Sequence, residues 1–162
     1  MKILLALACA GVLACGVGCG QSQSSAGHGR GGHHHEPPHG GTAIDLGNED
    51  AHLEFVLDAA AGKLTCYVLK PHMSGSQRIT QEMLELACTV AGKSETLNLK
   101  TVANAVTGKQ AGDSSQFEAQ ADWLKTAKSF DVELKKISVR GKDYSALKFN
   151  FPNGVTPEPV KK

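Results

Sequence analysis

The chain reads as all-β: an antiparallel β-sandwich of immunoglobulin-like architecture, with a small closed barrel as the alternative arrangement. Three observations predict this. From Thr42 onward short apolar runs alternate with period two, Gly, Asn, Asp, Lys and Pro punctuate them at hairpin spacing, and only one stretch carries an apolar pattern usable by a short helix. Seven or eight strands are expected between residues 41 and 155. A signal peptide (1–19) and a disordered His/Gly-rich tether (20–40) precede them, and a disordered tail (156–162) follows.

Each element has its own signal. Leu53, Phe55 and Leu57 share one face of a first long strand while His52, Glu54 and Asp58 share the other, so that strand is expected to be half-buried. Ala60 to Lys63 reads as a turn. The strand after it, Leu64 to Leu69, is apolar on both parities and should be central. Leu84, Leu86, Cys88 and Val90 alternate next, and Gly92-Lys93-Ser94 turns the chain toward Leu97 and Leu99. Ser115 to Lys128 is ambiguous, and one or two helical turns are expected around Asp122 to Ala127. Val132 and Leu134 fall on one parity but Ile137 and Val139 on the other, which predicts a bulge at Lys135-Lys136. Gly141-Lys142-Asp143 then turns into Leu147, Phe149 and Phe151.

The N-terminus carries an address. Lys2 is followed by an apolar and small-residue run too short and too glycine-rich for the roughly twenty residues of a stable span, and the run ends in cysteines flanked by Ala and Gly. Val12-Leu13-Ala14 before Cys15 resembles the lipobox of bacterial lipoproteins, and Cys19 lies nearer the switch to polar sequence. Both are candidate lipid acceptors. Acylation would place the chain in the cell envelope, facing the periplasm and lipid-anchored to a membrane.

Composition narrows the function. Lys and Arg number 17 against 16 for Asp and Glu, and no basic run is interleaved with aromatics, so nucleic acid is not an expected partner. Gln21 to Gly41 holds no apolar residue larger than Ala, apart from Pro, and cannot offset its ordering entropy by burial. It should act as a spacer. Five of the seven histidines, His28, His33, His34, His35 and His39, crowd into this tether. Neutral imidazoles on a flexible segment can converge on Zn²⁺, Cu²⁺ or Ni²⁺, although a solvated polar linker has the same composition. A second metal locus is His52 with Glu54, side by side on the polar parity of one strand. A solvated strand face explains that pair equally well.

The five cysteines divide into Cys9, Cys15 and Cys19 of the leader and Cys66 and Cys88 of the domain. The latter two share the apolar parity of their strands, so an exported chain is expected to join them in a disulfide; the other reading is two buried thiols acting as small hydrophobes. No Cys-His pairing, phosphate loop, His-Glu-x-x-His or Gly-x-Ser-x-Gly segment is present, and an enzyme is not expected.

Pro38-His39-Gly40-Gly41, Leu46-Gly47, Ala51 to Asp58 and Gly62 to Leu69 together resemble the HGG, His-x-Glu and Tyr-hydrophobic-Leu-Asp pattern of small periplasmic β-domains found in bacterial lipoproteins and beside heavy-metal efflux adaptors. Lys70 stands where that pattern carries Asp. The resemblance implies an envelope location and metal association, with His39, His52 and Glu54 at the matching positions. The expected function is thus a non-enzymatic, membrane-anchored module that binds divalent transition metal through its His-rich segment. The alternative is a metal-independent interaction or structural module with an envelope protein as partner.

Overall fold

The computed structural model describes residues 36–155, so the calls on Cys15, Cys19, His28, His33, His34 and His35, and on the tail 156–162, lie outside the described residues. Those described belong to one compact unit, His34–Lys162. It is all-β. Eight strands form it: β1 (Thr42–Leu46), β2 (Ala51–Asp58), β3 (Lys63–Leu69), β4 (Met83–Val90), β5 (Lys93–Thr101), β6 (Gln116–Gln120), β7 (Phe130–Val139) and β8 (Lys142–Phe151). Short 3₁₀ turns at Pro71–Met73 and Asp122–Lys125 are the helical elements among the described residues, and the second occupies the place where a helical turn is expected.

All eight strands join one antiparallel sheet in the order β1-β2-β3-β6-β5-β4-β7-β8. Two four-stranded halves meet at β6 and β5 through only two residue pairs, Lys100 with Glu118 and Thr101 with Phe117. The outer edges, β1 and β8, also approach each other. Thr42 Oγ1 donates to the Pro152 carbonyl at 3.0 Å, and Tyr144 Oη and Lys142 Nζ donate to the two carboxylate oxygens of Asp50 at 2.8 and 2.7 Å.

The inward parity is the one the alternation assigns. Leu53, Phe55, Leu64, Cys66, Val68, Leu84, Leu86, Leu97, Leu99 and Leu134 are buried, and Phe55 packs against Phe149 at a tilt of 32° while Phe130 lies between Trp123 and Phe151. Burial of such side chains supplies about 1.5–3 kcal/mol each, against chain entropy. Tight turns carry the expected chemistry. Ala91-Gly92 and Arg140-Gly141 both have two consecutive positive φ values, the mirror-image turn whose twist suits a hairpin.

Two strand-level expectations need correction. Leu134 and Ile137 are both buried, as the parity change requires, but no residue is inserted: β7 and β8 keep one register from Phe130–Phe151 to Val139–Lys142. The irregularity is shared instead. Ala146, opposite Lys135, takes φ 52°, and the pair drops out of the ladder. Gln81 then stands in for a strand neighbour, its Oε1 accepting from Ser138 N–H and its Nε2 donating to Lys136 O. Second, β2 is not half-buried. Residues 51–55 are buried on both parities, including His52 and Glu54.

Candidate functional site

The outer face of β2 carries two histidine–carboxylate pairs, each made by a different mechanism. In the first, Glu54 is fully buried, and its Oε1 accepts from the backbone N–H of His39 at 2.8 Å and of Gly41 at 2.9 Å. Its Oε2 lies 2.7 Å from His39 Nδ1. A buried carboxylate left without such donors would be strongly disfavoured, so these contacts hold residues 39–41 onto the sheet. Residues 36–40, assigned from sequence to the tether, therefore include a fixed attachment. The turn closes at Gly40 N–H to Pro37 O, 3.0 Å.

The two glycines of the motif have distinct reasons. Gly40 has φ 70° with open space around it, so it supplies the left-handed turn conformation. Gly41 supplies close approach, since a Cβ there would fall against the Phe55 carbonyl oxygen and 2.8 Å from Val56 Cγ2. On the next strand Tyr67 is paired opposite Glu54, and its ring stacks on His39 with centroids 3.8 Å apart and planes 7° from parallel. Burial raises the Tyr67 hydroxyl above its ordinary titration range, with smaller contributions in the same direction from Glu118 and Glu54.

These contacts fix the His39 tautomer. A carboxylate only accepts, so Nδ1 carries the proton and the Nε2 lone pair is left over. The side chain is 41% exposed, and no partner of Nε2 occurs among the described residues.

The second pair works differently. Asp45 sits opposite His52 in the β1–β2 ladder, with Oδ1 2.8 Å from His52 Nδ1. The other ring nitrogen, Nε2, accepts from the backbone N–H of His72 at 3.1 Å. His52 is thereby used at both nitrogens and pins the 3₁₀ turn Pro71–Met73 against β2. Neither the solvated-face reading nor a ligand role suits a side chain 2% exposed whose two nitrogens are both engaged. His39 and Glu54 are brought together, while His52 belongs to a separate cluster with Asp45 and the His72 amide. Among the described residues no group of three or more His, Cys, Asp or Glu side chains is placed to hold a metal ion.

The expected disulfide is absent. Cys66 and Cys88 are free and buried. Cys66 lies on β3 and Cys88 on β4, with β6 and β5 between them, so the two belong to different halves of the sheet. Shared inward parity is not adjacency. Burial pushes the Cys88 thiol up to about 12 and raises Cys66 further in the same direction, with Glu95 and Glu54 adding to it respectively. Both are thiols, not thiolates, and poor nucleophiles.

Sequence reasoning missed Asp45, Tyr67 and Gln81. Asp45 was legible in principle: a tight turn at Gly47 to Asp50 sets the register that places 45 opposite 52 and 43 opposite 54. Gln81 has no local signal, because its partners are 55 and 57 residues away. No protein-family model, curated protein or solved structure matches the chain.

Proposed function

We propose that this chain is a non-enzymatic envelope lipoprotein, anchored through Cys15 or Cys19, that captures a divalent transition metal (Zn²⁺, Cu²⁺ or Ni²⁺) with its His-rich tether. We read its curled sheet as a flattened barrel with a seam between β1 and β8. The observation that carries the metal reading is His39. It closes a segment dense in imidazoles, and its contacts with Glu54 and Tyr67 leave Nε2 as the available lone pair. The ligand set is then His33, His34, His35 and His39, and Glu54 supports His39 without ligating.

Calorimetry of the chain from Gly20 with each metal tests this. Replacing His33, His34 and His35 by Ala should weaken binding by at least tenfold, and lowering the pH through the histidine range, near 6.5, should weaken the unmodified chain. An affinity no better than about millimolar, equivalent to only about 4 kcal/mol, would remove the metal reading. The second reading, a metal-independent interaction module, is favoured by one feature. Val106 is 96% exposed at the apex of the β5–β6 loop, which is nevertheless ordered: Asn104 Oδ1 accepts from the N–H groups of residues 106 and 107, and Arg78 bonds Asp113, Gly108 O and Thr107 O.

A further inference from the structure

We infer that His52 is the sensor of an acid-released latch: while its Nε2 is unprotonated it holds the Pro71–Met73 turn against β2, and a proton on that nitrogen lets the turn lift. This inference is independent of the metal reading.

The turn is closed on itself by Lys70 N–H to Gly75 O at 2.8 Å, Met73 N–H to Lys70 O at 3.0 Å and Ser74 Oγ to Pro71 O at 2.9 Å. It carries backbone strain, because His72 and Met73, neither of them glycine, take φ 55° and 52° in succession. None of its three residues is buried, which leaves polar contacts a large share of the hold. The His72 N–H, donating to His52 Nε2 at 3.1 Å, ties the turn to the sheet.

An imidazole accepts at Nε2 only while that nitrogen is unprotonated. Asp45 selects this form: its Oδ1, 2.8 Å from Nδ1, accepts the Nδ1 proton and leaves the lone pair on Nε2. A second proton on the ring sets N–H against N–H, so an attraction to the turn becomes a repulsion. Asp45 remains a partner for the resulting imidazolium, and the strand therefore has no need to unfold to find the charge a counter-ion.

The other ionisable groups on this face, among the described residues, respond differently. Glu54, on the same parity of β2, is engaged by His39 and Gly41, and Tyr67 of β3 by the His39 ring. A proton added to His39 goes to Nε2, since Nδ1 already serves Glu54, and leaves the bonds of the turn as they are. Glu49 Oε2 lies 3.7 Å from His72 Nδ1, so protonation of His72 strengthens that pair and holds the turn. Lysine side chains such as exposed Lys70 keep their charge in mild acid.

The test is hydrogen exchange on the full chain at about pH 7.5 and about pH 5, an interval across which histidine side chains change charge, with protection expressed relative to an unstructured peptide at the same pH. The His72 amide reports the latch. The Val68 amide, which donates to Ser115 O within the sheet, reports global opening. On acidification, protection at His72 should fall by at least about tenfold while that at Val68 holds within about threefold. His52→Gln supplies an amide oxygen that accepts without titrating and should abolish the fall. His72→Asn keeps the backbone N–H, suits a left-handed backbone and should preserve the fall.

Unchanged protection at His72 in the unmodified chain overturns the latch. So does a fall that persists in His52→Gln or vanishes in His72→Asn, because the titrating group then lies elsewhere, and so does a parallel loss at Val68, because the whole sheet then opens. The ring-nitrogen NMR signals of His52 in the unmodified chain keep the test open even where His52→Gln does not fold. Nε2 should gain its proton over the interval in which His72 loses protection, and an Nε2 that stays unprotonated while protection falls overturns the inference.

Discussion

At the scale of single residues, chemistry depends on what the partner strand delivers. His39, His52 and Glu54 look alike in sequence as metal-ligand candidates, yet Glu54 serves as an acceptor for three donors and His52 is engaged at both nitrogens. The thiols make the same point and give a prediction. Burial raises both Cys66 and Cys88, so the folded chain holds these protons more tightly than the unfolded chain, where the ordinary value is 9.0. Their contribution to stability is therefore complete below pH 9 and lost as pH rises toward the folded values, by about 1.4 kcal/mol per unit for each thiol. Urea unfolding at intervals from pH 7 to 11 should show the decline beginning near 9, and Ala at both positions should reduce its slope. Iodoacetamide at pH 8 should label both thiols only after unfolding.

At the scale of elements, the strands follow their alternation and the turns follow their glycines, but two glycines with similar φ are not equivalent. Gly62 in the β2–β3 turn has φ 62°, and a Cβ there would lie 2.8 Å from the Ala121 carbonyl oxygen; Gly92 has φ 78° and open space around it. Substitution at Gly92 meets only the left-handed backbone cost, roughly 1 kcal/mol. At Gly62 the turn must also move away from the 3₁₀ segment. Gly62→Ala should lower the denaturation midpoint more than Gly92→Ala does, by at least about 1 kcal/mol in the paired comparison. Equal effects would mean that the contact with Ala121 relaxes without cost. The parity change in β7 belongs to this scale too: Lys135-Lys136 marks the position correctly, but both strands of the hairpin share the irregularity, and Gln81 bonds Lys136 O and Ser138 N–H where β7 runs past the end of its pairing with β4.

At the scale of the whole molecule, closure of the sheet rests on few contacts. The β5–β6 junction has two residue pairs, and the β1–β8 seam is held at one end by Thr42 with Pro152 and at the other by Asp50 with Tyr144 and Lys142. The Lys142 ammonium and the Tyr144 hydroxyl hold the Asp50 carboxyl below its ordinary range, so this end is intact at neutral pH and weakens as acid protonates Asp50. The proposed anchor also belongs to this scale. If lipid on Cys15 or Cys19 holds it in the envelope, Cys15→Ser together with Cys19→Ser should move the protein from the membrane fraction to the soluble fraction and abolish labelling by palmitate. Labelling that survives the double substitution would refute the anchor.

Alternation by itself determined that the domain is antiparallel and all-β, and which parity of each strand faces inward, because a period of two leaves one assignment that buries the Leu, Val and Phe side chains. Composition likewise marked the segment before Thr42 as unable to build a core. Only the tertiary structure decided which strands are neighbours. Strand order placed β6 and β5 between β3 and β4, so Cys66 and Cys88 are not neighbours along the sheet, and it joined all eight strands into one antiparallel sheet. It also converted the polar face of β2 into a buried one, by seating residues 39–41 on Glu54 and the 70–73 segment on His52. The physical reason is one of range. Alternation and turn chemistry act between residues a few positions apart, whereas strand order and the coverage of a face depend on contacts dozens of residues apart, to which local pattern is blind.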